Sequence, residues 1–215
     1  LLFIMLFFVF LYTCLHEGGH ALVALLSGGQ VTAFNVNFLN NSAHVSVTGE
    51  FTRVQTLVRT AAGVGLPVLV WLAFILIAPR RANLAVEMAK LGGTVMALFP
   101  LLAWVVIPFL FLGGVAPSDD STHFLQTSGL PPLLVACVAL ALFVGGWAIF
   151  AHRTGGIRAK IALIRDPGAD WLTPGVRRSL VVMVALFALC GLAAFGANGW
   201  KLTTPPQRVQ PPAGY

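Results

Sequence analysis

His16 and His20 stand four residues apart, with Glu17 directly after the first, in the stretch LYTCLHEGGHALVALL of residues 11–26. On a helix this spacing projects both imidazoles from one face, about one turn apart, where they can share a single Zn2+. Glu17 is then close enough to reach a water beside the metal without ligating it, which is the logic of an HExxH motif with glutamate as general base. The surrounding residues read as lipid-facing helix, and an ionisable group at bilayer depth costs about 2.5–3.5 kcal/mol even on insertion scales. Three such groups together mark a functional site. The plainer alternative, two histidines hydrogen-bonded inside a bundle with Glu17 as partner, leaves their common spacing unexplained. Gly18 and Gly19 lie between the ligands; bare helix surface beside a metal and close helix packing account for them equally well.

The elements that must hold this motif are membrane helices. The chain has 215 residues, of which 58% are hydrophobic and only 9% charged, where a soluble domain carries about a quarter charged residues. Five apolar runs are long enough to cross a bilayer: residues 1–26, 57–78, 91–113, 130–151 and 179–197. The first lacks a small-residue cleavage signature and runs longer than a signal-peptide core, so it is expected to stay as a helix. Cys14, Cys137 and Cys190 sit singly in different runs, as small buried residues rather than a disulfide framework.

The net charge of +6 reads as topology rather than as affinity for an acidic partner, and no nucleic acid is expected. Arg80, Arg81 and Lys90 lie between the second and third runs, and Arg153, Arg158, Lys160, Arg165, Arg177 and Arg178 between the fourth and fifth. The positive-inside bias makes these loops cytoplasmic, with the N-terminus inside and the C-terminus outside.

A hydrolytic zinc needs a third protein ligand and an open position. The motif lies past the middle of a first span running from inside to outside, so its partner belongs toward the outer side. There the third span continues into VAPSDDSTHF, which holds Asp119, Asp120 and His123. His44 is a reserve candidate on the same side, and His152 falls on the opposite one. The aspartates would serve equally as a helix cap.

These residues carry a resemblance. HEGGH, residues 16–20, and the looser DSTH, residues 120–123, resemble the site-2 protease family of intramembrane zinc metalloproteases. In that family the first core helix carries HExxH and the third carries an aspartate in an LDG-type motif, often continued as DGGH. The resemblance covers roughly the first 125 residues and implies His16, His20 and Asp120 as zinc ligands, with Asp119 the close alternative to Asp120, and Glu17 as the catalytic base. The second helix departs from the family's AGPxxN-like element: AAGVGLPV, residues 61–68, orders glycine and proline differently and lacks the asparagine. The charge pattern places the site toward the outer face, whereas well-known bacterial members place it toward the cytoplasm.

Between the first two spans, VTAFNVNF and HVSVTGEF alternate in character around LNNSA, a β-hairpin pattern. A transmembrane helix hides its peptide bonds, so a protease must hold its substrate extended, and an exposed strand edge does this by β-augmentation; a plain surface ribbon is the alternative. Pro100 and Pro108 should kink the third span. IRAKIALIR, residues 157–165, could lie along the membrane surface with its cations on anionic lipid.

The expected fold is an all-α membrane protein, a bundle of about five transmembrane helices with a short β-hairpin between the first and second. Residues 1–129 would form the metalloprotease-like core, 130–200 two further helices with a basic cytoplasmic loop, and 201–215 a disordered Pro-rich tail. The expected activity is zinc-dependent hydrolysis of membrane-spanning protein or peptide substrates within a lipid bilayer, the plasma membrane being the expected one. The alternatives are a catalytically idle membrane scaffold that retains the metal site, and a small transporter. The transporter is disfavoured because the second, fourth and fifth spans have almost no polar groups to line a path.

Overall fold

The structure, a computed structural model, describes residues 2–36, 43–80 and 84–156. The expected fifth span, the IRAKIALIR stretch, the tail and most of the LNNSA turn lie outside the described residues. Within them the order is α1 (Leu2–Leu26), β1 (Gln30–Asn35), β2 (His44–Thr48), α2 (Arg53–Ile77), α3 (Leu84–Leu98), α4 (Leu101–Leu112), α5 (Asp120–Ser128) and α6 (Pro132–Thr154). The chain is thus a mostly helical membrane protein with one antiparallel hairpin between its first two helices, as the patterning predicts.

Among the described residues, four helical segments are long and apolar enough to cross a membrane: Leu6–Leu26, Arg53–Ile77, Val86–Leu112 and Pro132–Thr154. Their outer surfaces are apolar as well, with Leu26 79%, Ile77 83% and Val144 57% exposed. So much exposed aliphatic surface is a liability in water and the ordinary finish of a helix that faces lipid. The inner faces close on Val64, Trp71 and Ile75 of α2, Ala97 and Leu98 of α3, Leu101 of α4 and Phe150 of α6. Close approach depends on glycine: a methyl at Gly146 of α6 would stand 2.7 Å from Leu98.

The third span is broken in two. Proline has no N–H to donate and its ring crowds the preceding turn, so α3 stops at Leu98 and α4 starts again after Pro100. Pro108, by contrast, lies inside a continuous α4. The α2 helix begins four residues earlier than the apolar run, because Thr52 and Gln55 form a capping box that satisfies orphan N–H groups ahead of the membrane portion.

Lys90 is not the loop cation that the charge pattern takes it for. It lies inside α3, 1% exposed, with Nζ donating to Glu87 Oε1 at 2.7 Å and to the Pro79 carbonyl at 2.5 Å. A buried ion pair is costly to break from one side, because the remaining charge is stranded. Glu87→Leu alone should therefore lower stability by about 3–5 kcal/mol, and Glu87→Leu with Lys90→Met should recover most of the loss. Unfolding measured in detergent checks this; equal losses in the single and double variants would reject it. Arg153 ties α6 to the same end of α2: its guanidinium donates to the carbonyls of Ile75, Leu76 and Ala78 at 3.2, 2.5 and 3.1 Å. A cation is favoured there by the helix C-terminus of α2.

Candidate metal centre

The three donors come from two local causes. His16 and His20 are placed by the helical period of α1, and their Nε2 atoms lie 3.3 Å apart. Asp120 is the first residue of α5, a short helix set up by its neighbours. The Asp119 side chain caps it, Oδ1 accepting from the Ser121 N–H at 2.8 Å and from the Ser121 hydroxyl at 2.7 Å. Gly129 ends it in the left-handed conformation at φ 64°, which glycine adopts without penalty. Arg53, at the start of α2, then fastens it by donating to the carbonyls of Thr127 and Ser128 at 2.8 and 2.6 Å. The two aspartates therefore differ in position: Asp119 is engaged in the cap, while Asp120 faces the imidazoles.

Asp120 Oδ2 lies 3.3 Å from His16 Nε2 and 3.1 Å from His20 Nε2. With the 3.3 Å between the imidazoles, the donors form a nearly equilateral triangle. A tetrahedral zinc with bonds of about 2.0–2.1 Å requires donor separations of about 3.3–3.4 Å. Two imidazoles and one carboxylate also suit zinc chemically, leaving a fourth position open. Burial alone would raise the Asp120 pKa, but the two imidazoles facing its carboxylate outweigh that and hold it below the usual carboxylate range.

The support behind the triangle is specific. His20 Nδ1 lies 2.8 Å from the Arg59 carbonyl. A carbonyl can only accept, so that bond puts the ring proton on Nδ1 and leaves the Nε2 lone pair for the metal. Arg59 is itself held with its guanidinium 4.7 Å from the centre of the Phe51 ring. Tyr12 Oη lies 3.2 Å from His16 Nδ1. Glu17 is 7% exposed and lies within electrostatic reach of His16, His20 and Asp120.

The glycines divide the work between packing and space. A methyl on Gly19 would overlap the Ala62 carbonyl of α2, whereas one on Gly18 would meet nothing within 4 Å. The first is a helix contact and the second is open surface. Gly63 of α2 makes room for the donors themselves, since a methyl there would stand 2.5 Å from His20 Nε2 and 2.8 Å from His16 Cε1. Alanine raises helix propensity at either glycine by up to about 1 kcal/mol, so loss of metal would report the clash. Gly63→Ala should lower zinc affinity by about 10–100-fold. Gly65→Ala, where a methyl meets nothing within 4 Å, should leave it unchanged; equal affinities in competition with a chelator would refute the assignment.

Of the other candidates, His123 is an exposed residue of α5 and His152 is in the last turn of α6. His44 opens β2 opposite Asn35, within electrostatic reach of Glu17. Among the described residues, the only group of three or more His, Cys, Asp or Glu donors close enough to hold one ion is His16, His20 and Asp120. The hairpin packs beside α1. Its register runs from Gln30↔Thr48 to Asn35↔His44 with a bulge between Val31 and Ala33, and among the described residues its sheet has two strands.

Tyr12, Arg53 and Gly63 are the contributors that the sequence reading passed over. Tyr12 had a visible signal, since residues 12, 16 and 20 repeat at helical spacing on one face. The other two had none, because both act across helices.

The model of one protein family, described as Peptidase M50B-like, matches residues 3–116. The matched stretch is just over half of the chain; it contains the HEGGH motif and ends four residues before Asp120. Nothing among the curated proteins or the solved structures matches.

Proposed function

Since the chain belongs to the Peptidase M50B-like family, within the site-2 protease group, we propose that it is an intramembrane zinc endopeptidase acting on membrane-spanning protein or peptide substrates. The observation that carries the reading is the triangle of donors, 3.1–3.3 Å on each side, at the spacing a tetrahedral zinc requires. His16, His20 and Asp120 would hold the ion. When bound, Zn2+ supplies a Lewis acid that polarises the scissile carbonyl and lowers the pKa of water.

The remaining work falls to the chain. Glu17 takes a proton from the attacking water as the new carbon–oxygen bond forms, then delivers it to the amine nitrogen as the carbon–nitrogen bond breaks. Its burial keeps bulk water from competing for that proton. The Arg59 carbonyl holds His20 in the tautomer that can ligate. The hairpin would give an unwound substrate a strand to lie against, so that its peptide bonds are presented extended. The charge pattern of the loops favours an N-terminus on the cytoplasmic side and a site toward the outer face, and the plasma membrane is the proposed location.

The test is zinc analysis of the purified protein together with cleavage of labelled single-span peptides reconstituted with it in vesicles. One zinc per chain and chelator-sensitive cleavage are expected. A chain that retains zinc and cuts none of the peptides would instead be the idle scaffold.

A further inference from the structure

Both imidazoles direct Nε2 to the donor triangle, but their Nδ1 partners differ in kind. His20 is backed by a main-chain carbonyl, Arg59 O at 2.8 Å, which persists whatever side chain stands at that position. His16 is backed by a side chain, the Tyr12 hydroxyl at 3.2 Å, one helical turn below it on α1. The Tyr12 ring forms part of the wall of a groove of about 300 Å³ between α1, α2 and α3, beside Phe8, Leu11, Leu15, Pro67 and Trp71. That wall is apolar, and a hydroxyl turned into it would forfeit its hydrogen bond. The hydroxyl therefore stays at Nδ1, and that contact fixes one orientation of His16.

We infer that Tyr12 is a positioning residue for the metal centre: its hydroxyl accepts the Nδ1–H of His16 and keeps the Nε2 lone pair aimed at the position shared with His20 and Asp120. The inference rests on the zinc reading above. A hydroxyl suits this role because it can accept as well as donate, and a ligating imidazole whose second nitrogen donates to an oxygen is both oriented and made more basic.

The experiment measures zinc affinity of the full chain in detergent by chelator competition, with the visible absorption of the Co2+-substituted protein as a second readout. Neither needs a substrate. Tyr12→Phe keeps the ring in the groove and removes only the hydroxyl; it is expected to weaken zinc binding about 10–100-fold and to alter the Co2+ spectrum, with apo-protein unfolding unchanged. Leu11→Ala opens the same groove wall and leaves the hydroxyl in place, and is expected to retain wild-type affinity and spectrum. His16→Ala is the reference for loss of the ligand itself. Wild-type affinity in Tyr12→Phe alongside loss in His16→Ala would overturn the role of Tyr12 and leave the zinc reading intact. Equal weakening in Leu11→Ala and Tyr12→Phe would reduce Tyr12 to packing and overturn the inference as well. Zinc binding that survives His16→Ala would remove the centre, and both readings would fall.

Discussion

Glu17→Gln is expected to retain zinc and to cut membrane-spanning substrates about 10²–10⁴-fold more slowly. The substitution keeps the shape and the hydrogen-bonding reach of the side chain but takes away its capacity to hold the proton. In the proposed mechanism Glu17 is not a ligand, so the metal content should not change. It is also the buried carboxylate on α1, 7% exposed, with no second acid beside it on that helix to take over. Parallel measurement of zinc stoichiometry and of cleavage in vesicles separates the two halves of the expectation. Zinc lost together with activity would make Glu17 a ligand or a structural partner of the histidines, and the assigned role would fail.

Asp120→Ala should lower zinc affinity by more than about 100-fold, beyond what the loss of an outer-shell contact costs. Removing this carboxylate deletes one vertex of the triangle and leaves two neutral imidazoles to hold a dication. Asp119→Ala should act differently. Its Oδ1 accepts from the Ser121 N–H and hydroxyl, so the substitution removes a helix cap, at a cost of about 0.5–2 kcal/mol in stability. Zinc binding should then weaken only as far as α5 loosens. Chelator competition and thermal unfolding of the two variants give opposite orderings if the assignment holds. Equal zinc retention in both would exclude Asp120 as the third ligand.

The neighbouring aspartates show where a sequence stops being informative. Both are acidic, both lie ahead of the fourth apolar run, and the spacing of DDSTH admits either as ligand or cap. The difference lies in a φ of −150° at Asp119, which turns its side chain back onto Ser121, and in the placement of α5 against α2 by Arg53. A helix of only nine residues has no apolar length to announce it. Lys90 teaches the same lesson in reverse. From the charge pattern it is a loop cation, but the apolar period that defines a span does not reveal that Glu87 one turn earlier neutralises it within the membrane portion.

What the sequence determined by itself is what depends on neighbours along the chain. The i, i+4 imidazoles of α1, the alternation of the hairpin, the apolar length of the described spans and the break at Pro100 all follow from local geometry, because helical and strand periods repeat over a few residues. The tertiary structure alone decided which carboxylate meets the imidazoles, why Gly63 must lack a side chain, and which oxygens back the two rings. Those relations join residues tens of positions apart, such as His20 to Arg59 and His16 to Asp120. Their distances depend on how helices cross and how closely they approach, and that is set by packing between elements rather than by the pattern within any one of them.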